Sequence, residues 1–405
     1  MCPADPATGR DAGDGYMRQL DSLRAIAVLG VCLHHWTVDL PGSWIRGALD
    51  LVPFDAWRVQ LFFALSGFLI TLILLKARTK AEEADASTWR TLLVFYARRG
   101  LRTWPLFFLV LFAMAALNLR PSREELVWNA AFLTNFRVLY IDDGVGVVQH
   151  FWSLAVEEQF YLVWPWLILF PSRKAIVPAL VGVAVLLNAS QVCIAWELGV
   201  DRAGLHYLPG ANVNTLVYGS ILAVYKDHPR LHRWATALGL YVALPLAVVT
   251  MFVERTKALG PFSTTVDRIA LAPLLGWVLL QTARGVKGRV GRALEWSPLV
   301  WLGTVSYGVY LIHNAPLTFL YDYYAVLGLD AIPKLRAILA NEFTRVVALL
   351  AITVGLAAFA YYGFERPLNR LKRYLPYAPR GRDPRNDTPR PPAASDAHFT
   401  HRRAA

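Results

Sequence analysis

Residues 20–36 read LDSLRAIAVLGVCLHHW. The stretch is long enough to cross a bilayer as a helix, yet it carries Arg24, His34 and His35. Arg24 and His35 stand eleven positions apart. At ~100° per residue that is within about 20° of whole turns, so both side chains share one face, about 16 Å apart along the axis. Asp21 begins the same stripe one turn earlier, and His34 points about 80° away. An ionisable group inside an apolar span is costly and by default faces a functional interior. A blander reading has Arg24 snorkelling to one surface and a histidine among headgroups at the other. The shared face weighs against it.

Composition extends the reading to the whole chain. Of 405 residues, 56% are hydrophobic and 13% aromatic, with mean hydropathy +0.37. Soluble domains of this length are rarely so apolar. An all-α polytopic membrane protein is predicted. The net charge of +12 is then the excess of Lys and Arg that such proteins carry on the cytoplasmic side. No folded basic domain is visible, so nucleic acid is not expected as a partner. Cys2, Cys32 and Cys193 form neither a metal motif nor a disulfide framework, and no metal is expected. The first apolar run lacks a small-x-small cleavage site and is expected to act as an uncleaved anchor.

Residues 1–16 and 376–405 are polar, rich in Gly or in Pro, Arg and Asp, and read as disordered flanks of a domain over 17–375. Apolar runs lie at 20–36, 59–75, 104–119, 151–170, 176–195, 212–225, 235–253, 267–283, 299–320 and 343–363. The piece at 126–136 is too short to cross alone. About ten transmembrane helices place both termini on one side. The segments on that side then hold more than twice the Lys and Arg of the opposite loops, so both termini are expected to be cytoplasmic.

Three further stretches carry chemistry. In FWSLAVEEQFYLVWPW, 151–166, Ser153 and Glu157 are one turn apart and Tyr161 continues their face. Glu158 points about 100° away. These carboxylates either cap the positive helix end or serve a site. On the topology above, Glu157 and His35 are both in the outer half, which allows a carboxylate to orient the imidazole. In FYARRGLRTWP, 95–105, Arg98, Arg99 and Arg102 sit at the inner face. They can bind phosphates of a soluble cosubstrate or serve only as inner anchors. In VSYGVYLIHNAP, 305–316, Ser306, Tyr310 and His313 fall at i, i+4 and i+7. They line an acceptor path or satisfy interhelical polar contacts. Ser66-Gly67-Phe68 reads as close helix approach through small residues. No P-loop, G-x-S-x-G or H-E-x-x-H pattern occurs.

These blocks, with FFALSGFLIT at 62–71 and FERPLNRL at 364–371, come in one order over about 20–372. The chain resembles the membrane-bound acyltransferase-3 family, bacterial O-acyltransferases of surface carbohydrates and some glycosylated metabolites. The resemblance implies a multi-pass protein of the bacterial cytoplasmic membrane that uses cytoplasmic acyl-CoA, most simply acetyl-CoA. The family's Arg-x(10)-His falls on Arg24 and His35. Its basic motif falls on Arg98, Arg99 and Arg102, implying contact with CoA phosphates, and its usual glutamate falls on Glu157, with Glu158 the weaker choice. Some relatives carry a C-terminal esterase-like domain; here a short polar tail follows the last run. The expected activity moves an acyl group from acyl-CoA to a hydroxyl of a carbohydrate or glycosylated acceptor. His35 is the expected base, Glu157 its partner, Arg24 an assistant, and Ser153, Glu158, Tyr310 and His313 the lining. A proton-coupled transporter or flippase is the rival class, since intramembrane Arg, His and Glu also build proton relays.

Overall fold

A computed structural model describes residues 17–377, apart from 38, 39, 41, 51–56, 141–145, 199–205, 229, 250–262, 325 and 329–331. The expected disordered flanks, except residues 376 and 377, lie outside the described residues. Every described element is helical. Among the described residues ten helices have 16 residues or more: α1 (Arg18–Thr37), α2 (Trp57–Glu83), α3 (Thr88–Ala116), α4 (Phe151–Leu169), α5 (Ile176–Leu198), α6 (Pro209–Val224), α7 (His232–Val249), α8 (Ser263–Arg284), α9 (Ser297–Ile312) and α10 (Glu342–Ala360). Each overlaps one of the ten apolar runs. Four helical stretches are long and apolar enough to cross a membrane by length and composition: α2, α3, α7 and Glu342–Tyr374, which continues α10.

Two boundaries differ from the sequence expectation. Residues 76–103, between the second and third apolar runs, are almost wholly helical. α2 runs on to Glu83, α3 starts at Thr88, and only 84–87 turn. Lys, Arg and Glu are good helix formers, so the backbone stays helical where hydropathy stops. The ninth run, 299–320, breaks at His313 into α9 and a short helix, Asn314–Tyr323. Pro316 has no N–H to give the carbonyl of Ile312, four residues back.

The bundle is apolar outside and partly polar inside. Phe112 on α3, Leu186 on α5 and Phe359 on α10 are exposed, whereas Gln60, Asn212 and Thr215 are buried and bonded to one another. Without a hydrophobic gain between helices in lipid, close backbone approach and polar contacts hold such bundles together. Glycines make that approach possible. A Cβ on Gly67 of α2 would lie 2.1 Å from the Leu216 carbonyl oxygen of α6. One on Gly303 of α9 would lie 1.8 Å from that of Asp21 on α1. The reading of Ser66-Gly67-Phe68 as a close-approach site is borne out. α1, α2, α3, α4 and α9 surround the cavity described next.

Candidate active site

Two cavities share the lining residues Arg24, Ser66, Arg99, Arg102 and Tyr161, and so form one path. The larger, about 460 Å³, is bordered by Lys76, Lys80, Arg98 and Lys372. The smaller, about 110 Å³, runs on to Glu157, Ser153, Ser306 and Tyr310.

The three arginines of α3 have three different surroundings. Arg98 Nη1 donates to the carbonyls of Lys372 and Leu375 at 2.9 and 3.0 Å. Arg99 turns inward. Its guanidinium lies 3.8 Å from the centre of the Tyr161 ring and 4.0 and 3.7 Å from the carboxylates of Glu157 and Glu158. Arg102 lines both cavities. One turn of helix separates Arg98 from Arg102, so both face the cavity, while Arg99 reaches its floor. Arg24 lines both cavities from α1 and pairs with Asp21 at 2.7 Å, as their common stripe requires.

The two glutamates differ in the same way. Glu157 lines the smaller cavity and accepts hydrogen bonds from Ser66 at 2.7 Å and Tyr161 at 3.0 Å. Glu158 accepts from Thr103 at 3.3 Å and Trp104 at 3.0 Å, which ties α4 to α3. The expected pairing of Glu157 with His35 does not form: no hydrogen bond joins them among the described residues. In an apolar interior the guanidinium of Arg99 and two hydroxyl donors satisfy the carboxylate, about two helical turns along from His150.

Three imidazoles gather beyond Tyr310. The rings of His35 and His313 are 5.1 Å apart, those of His313 and His150 4.5 Å, and those of His150 and Tyr310 5.4 Å. The His34 ring lies edge-on to that of His35, at 5.4 Å. Tyr310 donates to the His150 carbonyl at 2.6 Å, and its oxygen lies 2.6 Å from Ser153 Oγ. A carbonyl only accepts, so the His150 Nε2 contact to Leu311 O, at 3.3 Å, puts a proton on Nε2 and leaves Nδ1 to accept from Asn314. By the same argument His313 carries its proton on Nδ1, bonded to Tyr310 O at 2.7 Å. Its Nε2 lone pair is buried and has no hydrogen-bond partner among the described residues. His35 is half-buried, and no hydrogen bond to its ring occurs among the described residues. Trp36 fixes this end by donating to His313 O at 2.9 Å. Among the described residues no group of three His, Cys, Asp or Glu side chains is arranged to hold a metal ion.

The sequence profile of the acyltransferase-3 family, described as an acyltransferase domain, matches residues 17–362. The chain belongs to this family. It is 27% identical over 377 residues to the putative peptidoglycan O-acetyltransferase YrhL of Bacillus subtilis, covering 87% of this chain and 55% of that protein. It is 26% identical over 327 residues to the peptidoglycan O-acetyltransferase OatA of Listeria monocytogenes, covering 75% and 50%. It is also 26% identical over 337 residues to the O-acetyltransferase OatA of Staphylococcus aureus, covering 76% and 52%. The chain thus spans about half the length of these relatives. No solved structure matches it significantly.

Within this family member, Ser153, Glu157, Tyr310, Arg24, Arg98, Arg99 and Arg102 line the two cavities, whereas His35 and His313 line neither: the His313 ring lies 5.7 Å from that of Tyr310, and His35 packs on His313. Glu158 stands behind it. His150 was not singled out by sequence, although 150, 153 and 157 follow helical spacing onto one face. It precedes the apolar run and reads as loop. Lys372 and Tyr377, also on the path, lie beyond the last run in a polar segment with no periodic signal.

Proposed function

We propose that this chain is an integral-membrane O-acyltransferase. It crosses the bacterial cytoplasmic membrane about ten times, with both termini and the basic mouth in the cytoplasm. Acyl-CoA, acetyl-CoA in the simplest case, enters at that mouth, and its phosphates meet Arg102 and the neighbouring cations. Its thioester reaches past Ser66 and Glu157 toward Tyr310. His35 takes the proton of an acceptor hydroxyl as the oxygen attacks the thioester carbonyl. The carbon–sulfur bond breaks, and the CoA thiolate receives the proton from His35. His313, whose ring adjoins His35, takes the orienting place expected of Glu157. The acceptor is a carbohydrate hydroxyl; the relatives' names specify peptidoglycan.

The observation that supports this reading best is the continuity of the path. One set of side chains lines both the cationic mouth and the inner cavity that reaches Tyr310, which suits a donor with a charged head and an uncharged reactive end. The narrow inner cavity favours a short acyl group. The names of the relatives lend the transporter reading no support. The decisive measurement is release of free CoA from a panel of acyl-CoAs by the purified protein in nanodiscs, wild type beside His35→Ala. Release by the wild type and loss in the variant are expected. Normal release by the variant overturns His35 as base. Absence of both CoA release and CoA binding in the wild type overturns the donor.

A further inference from the structure

The chain beyond α10 folds back over the basic face of α3. Arg98 donates to the carbonyls of Lys372 and Leu375, and Arg90 Nη1 donates to that of Tyr377 at 3.0 Å. The Arg98 guanidinium also lies 5.0 Å from the centre of the Tyr377 ring. Such charge-assisted bonds are stronger than neutral ones, and a guanidinium near an aromatic face adds to them. Residues 372–377 therefore form a strap fastened at three carbonyls and one ring. Both of its large side chains that reach the cavity, Lys372 and Tyr377, line the mouth.

The charges around Lys372 are mostly of its own sign. Arg98, Arg99 and Arg102 face it, with Glu365 as the nearby carboxylate. One donor of its ammonium goes to the Asn369 side chain, and an ammonium has three. Gathering several cations at a half-buried cavity wall costs free energy that an entering polyanion offsets. A structural anchor has no need of this arrangement, since Arg98 and Arg90 already hold the strap.

We infer that the strap is one wall of the donor site: Lys372 binds a phosphate of the nucleotide donor, and Tyr377, seated on Arg98, positions it. The strap lies outside the residues matched by the family, 17–362. The inference rests on the proposed acyl-CoA donor.

The test is CoA binding by calorimetry at two salt concentrations, in nanodiscs of zwitterionic lipid so that no anionic headgroup competes. Lys372→Gln is expected to weaken CoA about tenfold and to flatten the salt dependence. Tyr377→Ala is expected to weaken it by a similar factor, and Tyr377→Phe, which keeps the ring, to retain most of the affinity. If Tyr377→Ala does not fold, Lys372→Gln and Tyr377→Phe decide. CoA binding by Lys372→Gln with wild-type affinity and salt dependence overturns the strap's role and leaves the donor reading intact. No CoA binding by the wild type overturns both.

Discussion

The mouth of the cavity is lined by long cationic side chains; the imidazoles beyond Tyr310 are short and stand outside the lining. Lys76 and Lys80 on α2 are exposed, and Arg98, Arg102 and Lys372 are half-buried. Beyond Tyr310, His150 and His313 are 2% and 0% exposed, and each has a ring nitrogen at hydrogen-bond distance from a carbonyl. Flexible cations tolerate small shifts in a bound anion, because charge attraction falls off slowly with distance. Proton transfer requires a base within hydrogen-bond reach of its proton. On the proposed function, the cationic end binds and the imidazole end reacts. Substitutions at the two ends should therefore fail in different ways.

The largest effect is expected at His35. His35→Ala should lower turnover on the order of 10²–10⁴, while the dissociation constant for CoA stays where it was. Steady-state kinetics beside a binding isotherm checks both. If binding falls along with turnover, the two ends are not separable.

His150→Ala should come next. His150 does not border the smaller cavity; it holds Asn314 through Nδ1 and the Leu311 carbonyl through Nε2, and so acts through its neighbours. A displacement of about 1 Å at the reacting groups can cost about 10²-fold. The loss should appear in kcat rather than KM, and His150→Asn, which retains a donor and an acceptor, should recover part of it. Equal losses in kcat and KM would place His150 with the binding end instead.

The two ends also differ in how far the sequence reveals them. Arg24, Asp21 and His35 are legible because helical periodicity alone puts them on one stripe, and Arg98 and Arg102 for the same reason. Each of the ten apolar runs overlaps a long helix among the described residues. What periodicity cannot supply is the partner across the bundle. Glu157 and His35 were a plausible pair in depth, but Arg99, Ser66 and Tyr161 surround Glu157. Nor does hydropathy mark where a helix ends once charged helix formers take over, which is why the apolar runs stop at 75 and resume at 104 although α2 reaches Glu83 and α3 begins at Thr88. His150 was hidden because it stands one residue outside an apolar run.

A smaller effect, and of the opposite kind, is expected at Arg102. Arg102→Gln should raise KM for the acyl donor about tenfold with kcat nearly kept, since one charge-assisted contact to phosphate is worth roughly 1.5–3 kcal/mol at most. The salt dependence of KM should become shallower. A fall in kcat with KM unchanged would move Arg102 from binding to chemistry.

Glu158 should show the smallest effect, and it tests whether neighbouring carboxylates can differ so much. Glu157 borders the path; Glu158 does not, and its oxygens face Thr103 and Trp104 on α3. Glu158→Gln keeps a carbonyl oxygen that can accept from the Trp104 indole, and loses only the charge 3.7 Å from Arg99. Glu157 remains as a counter-charge to Arg99 at 4.0 Å. Turnover should stay within about threefold of wild type, and stability should fall by no more than about 1 kcal/mol, the usual net worth of one hydrogen bond. Glu157→Gln should cost more, because the group lost stands in the path. Measured side by side, turnover and thermal midpoint should then separate the two glutamates. If Glu158→Gln loses as much turnover as Glu157→Gln, the charge of Arg99 depends on both carboxylates together, and the floor of the path acts as one ionic unit.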